Sequence, residues 1–241
     1  MKTLRICGHS HLAALQEGYR AQEKPELDVK FVALSGANYS PEDFSRVEPE
    51  GVAFTPELYR KNFADRTGET HINGEHLWGF SMGGYPFRLD AGAQWQRCRP
   101  SNLPEAGKRP VSLALIDAVI EADRKATQNF ALHLKAAGAR FFFIALPGAI
   151  RGFHKNDSER DIETRAFLQN RARRQFQEWL AEHSIDFVDV PDGLMDKDGF
   201  MDPDYMRLIK PNGAKDFNHG NEKFGKLMIE KISNYVNSRI D

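Results

Sequence analysis

Cysteine is scarce in this sequence. Cys7 and Cys98 are the only two in 241 residues, so there is neither a disulfide framework nor a CxxC metal motif. Two free thiols fit a reducing, cytoplasmic setting. A surplus of one charge is also missing: 33 Lys and Arg against 34 Asp and Glu leave a formal net charge of −1. Such a balance gives no bulk attraction to nucleic acid or to an anionic lipid surface, so neither is expected as a partner. No run approaches about 18 consecutive apolar residues, which argues against a transmembrane helix. The apolar part of Met1–His9 is too short and too soon interrupted to read as a secretory signal. No Gly-x-Gly-x-x-Gly or P-loop follows a strand-like run, so no organic cofactor is expected. Repeats, low-complexity tracts and linker-like shifts in composition are absent, which favours one domain over 1–241.

What is present is an ordinary globular composition, 41% hydrophobic and 28% charged. Short apolar runs alternate with amphipathic ones. Strands are expected at Thr3–Cys7, Asp28–Leu34, Glu75–Met82, Ala139–Leu146 and Ile185–Val190. Helices are expected at His11–Lys24, Val111–Ala137 (with a break or bend, then Gly138 as C-terminal cap), Glu159–His183 and Gly220–Asn237. Arg88–Lys108 reads as polar and turn-rich. Pro41, Pro49, Pro56, Gly51 and Gly68 mark about 37–74 as a loop-rich, irregular insertion. Apolar strands separated by amphipathic helices predict a parallel sheet of about five strands covered on both faces, an α/β/α sandwich. In such sheets ligands bind beyond the carboxyl ends of the strands.

Two segments at that edge carry candidate chemistry. Gly8-His9-Ser10-His11 lies between the first strand and the first helix. A serine there presents its hydroxyl at the sheet edge, with its N–H near the positive end of a helix dipole. Gly8 suits a sharp turn there. The competing reading makes Ser10 a helix cap, a role serine fills well. Asp216-Phe217-Asn218-His219 precedes the last helix. A serine nucleophile needs a neighbouring base, histidine titrates near working pH, and a nearby carboxylate can fix its tautomer. The competing reading makes Asp216 or Asn218 a helix cap and His219 a surface residue. His9 and His11 form a His-x-His without a neighbouring carboxylate or cysteine, so no metal is expected.

A serine after the first strand and an Asp-x-x-His before the last helix resemble the frame of the SGNH (GDSL-type) hydrolase superfamily. The likeness runs from end to end of the chain. It is nearest to bacterial members whose blocks read Gly-x-Ser-His and Asp-x-x-His-Gly-Asn, as Gly8–His11 and Asp216–Asn221 do here. The resemblance implies a flavodoxin-like three-layer fold. It implies Ser10 as nucleophile, His219 as general base and acid, and Asp216 as its orienter. It also implies an oxyanion hole from the N–H groups of Ser10, Gly36 and Gly84, completed by an asparagine after the third strand. Tyr85 occupies that asparagine position, and His9 stands where an aspartate braces the serine loop. Asn38 or Asn73 can be offered as a substitute donor, and Gly36 also reads as a plain turn glycine.

His11, Asn38, Tyr85 and Phe217 are the candidate substrate-pocket residues. The reaction class implied by the resemblance is hydrolysis of small O-acyl esters, acetyl esters of carbohydrates among them. The partner is therefore a small-molecule ester or acylated carbohydrate. Two alternatives stand beside it: a non-catalytic or barely catalytic protein that binds a sugar or other small ligand, which Tyr85 motivates, and an acyltransferase using the same Ser10 and His219, which differs only in the acceptor that meets the acyl-enzyme.

Overall fold

In the computed structural model, which describes residues 3–34, 43–90, 93–151, 159–209, 213, 216 and 218–239, the five apolar runs hydrogen-bond into one sheet. In chain order the elements are β1 (Thr3–Gly8), α1 (Leu12–Arg20), β2 (Asp28–Ala33), β3 (Ser45–Glu48), β4 (Gly51–Phe54), α2 (Glu57–Thr67), β5 (Leu77–Ser81), α3 (Phe87–Asp90), β6 (Cys98–Pro100), β7 (Arg109–Val111), α4 (Leu113–Ala136), β8 (Arg140–Ile144), α5 (Glu159–Glu182), β9 (Asp186–Val188) and α6 (Glu222–Asn237). The sheet order is β2-β1-β5-β8-β9, with every neighbouring pair parallel. Successive side chains of a strand point to opposite faces. Leu4, Ile6, Phe142 and Ile144 accordingly pack under α1 and α6 with Leu15, Met228 and Ile232. Cys7, Val32, Trp78, Phe80 and Phe143 pack on the other face with Phe63 of α2, Phe130 of α4 and Phe176 of α5. The three-layer α/β/α sandwich expected from the sequence is therefore what forms.

The contact that matters most for the site is between α1 and α6. A Cβ on Gly18 would lie 2.1 Å from the carbonyl carbon of Gly225, and one on Gly225 would lie 1.7 Å from the Ala14 oxygen. Only glycine permits backbones to approach so closely. Both helices run antiparallel to the strands, so their N-termini meet at the carboxyl edge of the sheet. Arg207 adds an ion pair to Glu17 of α1, and its N–H donates to the His219 carbonyl at 2.8 Å.

Some sequence expectations fail. The described part of 37–74 is not irregular. β3 and β4 form an antiparallel hairpin, and α2 follows. This helix gives no periodic signal in the sequence because it buries only Tyr59 and Phe63, too thin a stripe. The long helix α4 runs unbroken, because Ile116, Ile120, Ala126, Phe130 and Leu134 keep a buried stripe along its whole length. Ser112 caps its start, and Gly138 follows its end in the left-handed conformation (φ 68°), where glycine is favoured. The turn-rich segment 88–108 is also ordered in part: Leu89 and Trp95 pack with Ile116, Ile120 and Leu168. Gly8 is not a turn residue. It ends β1, where a side chain would strike the Ser81 oxygen at 2.7 Å. Among the described residues no helix is long and apolar enough to cross a membrane.

Candidate active site

Ser10 sits in the turn that leaves β1. Its side chain caps nothing: the N-cap of α1 is His11, which makes no side-chain cap bond. The first helical N–H groups are taken by backbone carbonyls instead, Leu12 to His9 at 3.0 Å and Ala13 to Ser10 at 3.3 Å. The exposed Ser10 hydroxyl is thus free to turn toward the histidine loop, and its Oγ lies 2.8 Å from His219 Nε2. The other ring nitrogen, Nδ1, lies 2.8 and 3.0 Å from the two oxygens of Asp216. An ionised carboxylate only accepts, so Nδ1 carries the proton and Nε2 presents a lone pair to the Ser10 hydroxyl.

Asp216 is buried. Burial pushes its carboxyl up, but the bond from the His219 ring and the N–H groups of Asn218 and His219 outweigh that and hold it below the usual range. A depressed carboxyl stabilises the fold above its unfolded value of about 3.9, and the contribution is lost as pH falls through the folded value. Asp216→Asn is therefore expected to melt below the parent at neutral pH. The gap should close as the buffer is taken below about pH 4. Parallel melting curves across that range check it, and a gap independent of pH would contradict it.

The helix cap next to this loop is neither Asp216 nor Asn218. Asn221 accepts from the Phe224 N–H at 3.1 Å and donates to the carbonyls of Asp204 (2.7 Å) and Met206 (3.2 Å). One side chain thus starts α6 and pins the loop that presents His219. His9 takes the bracing place: its Nδ1 donates to the Leu34 carbonyl at 3.1 Å, tying the serine turn to the end of β2.

The remaining sequence candidates divide. His11 is brought in, its ring centroid 4.8 Å from that of His219. Gly83 and Gly84 leave β5 with φ 82° and 73°, and a Cβ on Gly84 would stand 3.4 Å from Phe176 of α5. The Tyr85 hydroxyl accepts from Gln169 of α5 at 3.3 Å, a partner no sequence pattern advertised. Asn73 is excluded as an oxyanion donor. It precedes β5, at the amino edge, and its Oδ1 accepts from the Glu75 N–H. Gly36, Asn38 and Phe217 lie outside the described residues. Among the described residues neither His9 nor His11 belongs to a metal-like group. The group among the described residues is Glu48, Glu50 and His71 on and beside the hairpin, where Glu48 already pairs with Arg46 and His71.

No protein-family model and no curated protein matches the chain. Solved structures do. A candidate SGNH hydrolase from Slackia heliotrinireducens aligns over 98% of this chain and 98% of its own, with TM-score 0.51 and 14% identity. A GDSL-like lipase from Bacteroides thetaiotaomicron aligns over 99% of this chain and 89% of its own, with TM-score 0.50 and 11% identity. The chain has the SGNH-hydrolase fold. In the SGNH fold of this chain, the exit of β1 and the entry to α6 are neighbours, and the serine and histidine stand at those two places.

Proposed function

We propose that this protein is a serine ester hydrolase or deacetylase acting on small O-acyl esters, with acylated carbohydrates among its substrates. The observation that carries the reading is the 2.8 Å contact between Ser10 Oγ and His219 Nε2, backed by the Asp216 bond to the opposite ring nitrogen. In the proposed cycle His219 takes the Ser10 proton as Oγ attacks the ester carbonyl. The tetrahedral intermediate collapses, the alcohol leaves with the proton from His219, and water then cleaves the acyl-serine with His219 again as base. The Ser10 N–H, beside the positive end of α1, and that of Gly84 are the proposed oxyanion donors, with Gly36. Incubation with an organophosphonate, followed by peptide mass analysis, tests the nucleophile. Covalent label is expected on Ser10, and a chain that takes up none would refute the reading. A panel of aryl acetates and acetylated sugars tests the substrate class.

Tyr85 bears on the efficiency of that cycle. Its phenol oxygen accepts from Gln169 on α5, which ties the ring to that helix, and with tyrosine at the position where the resemblance places an asparagine the proposed oxyanion hole lacks that amide donor. One such donor is commonly worth about 10²–10³ in kcat. Tyr85→Asn is expected to raise kcat on phenyl acetate about tenfold or more. An unchanged kcat would show that another group already fills the place. Methanol or a sugar alcohol added to the assay distinguishes hydrolysis from transfer, since an acyltransferase would divert acyl groups to the added acceptor.

A further inference from the structure

The imidazole of His11 takes no part in the hydrogen-bond chain from Ser10 to Asp216, yet it lies directly beside it. The two rings are 4.8 Å apart with planes inclined at 34°. Its Nδ1 is enclosed and makes no hydrogen bond among the described residues. Its Nε2 also has no partner there but is not enclosed, so solvent or a ligand can reach it. Burial, then the neighbouring His219 and His9, push its basicity down to about 3, while Asp216 opposes the shift. The ring is therefore neutral at working pH and carries a single proton. A buried N–H without an acceptor costs more than a buried lone pair, which places that proton on the reachable Nε2. A neutral imidazole N–H at the start of a helix is a preorganised donor that brings no extra charge to the site.

The position of His11 indicates which substrate atom it meets. His219 Nε2, which faces Ser10 Oγ, also delivers the proton to the departing alcohol, so the leaving oxygen must come within reach of His219. The oxyanion points elsewhere, toward the backbone N–H groups. We propose that the His11 Nε2–H donates a hydrogen bond to the leaving-group oxygen of the bound ester, a proposal that rests on the ester-hydrolase reading above. When the tetrahedral intermediate collapses, the carbon–oxygen bond breaks and its electron pair moves to the leaving oxygen. The proton on His219 Nε2 transfers to that oxygen and the alcohol departs. His11 keeps its own proton throughout and stabilises the charge that develops before transfer is complete.

The test is a series of acetate esters with increasingly basic leaving groups: 4-nitrophenyl, phenyl, trifluoroethyl and ethyl. Acylation rates are measured for the parent, for His11→Phe, which keeps a ring but removes the donor, and for His11→Asn, which keeps a donor. A good leaving group needs little help, so His11→Phe should lose only a fewfold on the nitrophenyl ester. It should lose about 10²-fold or more on the ethyl ester, the scale of one charge-stabilising donor. His11→Asn should recover most of the alkyl-ester rate. Organophosphonate labelling of Ser10 in each variant reports whether the fold and the nucleophile survive. Variants that label normally but lose the same factor on every ester would overturn the proposal and leave the hydrolase reading standing. A parent chain that neither labels nor cleaves any ester of the series would overturn both.

Discussion

Ser10→Ala is expected to lower kcat on phenyl acetate by about 10⁴-fold or more, with little change in KM. The reason is specific to the nucleophile. His219 and Asp216 stay in place, because Asp216 still accepts from the His219 ring and from the Asn218 N–H. The histidine then has no hydroxyl to deprotonate, and only positioning and oxyanion stabilisation remain. Substrate binding draws on the surrounding surface, so KM is not the parameter that should move. Stability should hardly change, since Ser10 is exposed and one partly exposed hydrogen bond is worth about 1 kcal/mol. Activity and melting temperature measured on the same preparation separate the two effects. Adding His219→Ala to Ser10→Ala should cost little more, because groups that act as a unit are not additive. A Ser10→Ala protein within about tenfold of the parent would remove the basis for an enzyme reading.

Gly225→Ala is expected to be the most damaging small substitution away from the reacting groups. The new Cβ would sit 1.7 Å from the Ala14 oxygen. That oxygen is backbone, so no rotamer change relieves the clash and α1 must move away from α6. Overpacking costs about 1–3 kcal/mol, and a backbone neighbour puts this case at the upper end. Alanine returns about 1 kcal/mol through its better helix propensity. The net loss is about 2 kcal/mol, which for a chain of this size lowers the melting temperature by about 4–8 °C. Activity should fall with it, because α1 follows Ser10 and α6 follows His219. A shift of about 1 Å between reacting groups can cost about 10²-fold. The expected signature is reduced kcat with nearly unchanged KM in protein that remains folded at assay temperature. A variant that melts at or above the parent would show that the helices do not depend on this contact.

Much of the fold was legible because it rests on local pattern. The five strands of the sheet and the helices α1, α4, α5 and α6 are each announced by apolar residues at the period of the element. Ends proved less exact: α1 stops at Arg20 rather than Lys24, and β9 covers only Asp186–Val188. The elements that were missed are small or weakly patterned. β3 and β4 are short, and α2 owes its place to Tyr59 and Phe63 filling a pocket built by Phe44, Phe54 and Trp78. Nothing within Glu57–Thr67 itself encodes that pocket, because its walls come from the end of β4, the residue before β3 and the core strand β5.

The candidate site divides in the same way. Residue type and position relative to strand ends made Ser10, Asp216 and His219 candidates beside helix-cap readings, the family resemblance implied their roles, and spacing put Asp216 within reach of His219 three residues on. The meeting of Ser10 with His219 is different in kind, since 209 positions separate them. It is decided by the crossing of α1 and α6 at Gly18 and Gly225, by Arg207 reaching Glu17, and by Asn221 holding the loop. The bond from Gln169 to Tyr85, the removal of Asn73 to the far edge and the placing of the His11 ring beside that of His219 were likewise fixed only by tertiary structure. Periodicity and end signals act between residues a turn or a strand apart, so the sequence alone can specify the elements and the chemical groups they carry. Which groups face one another depends on how the layers pack, and that is set by close contacts summed over the whole chain.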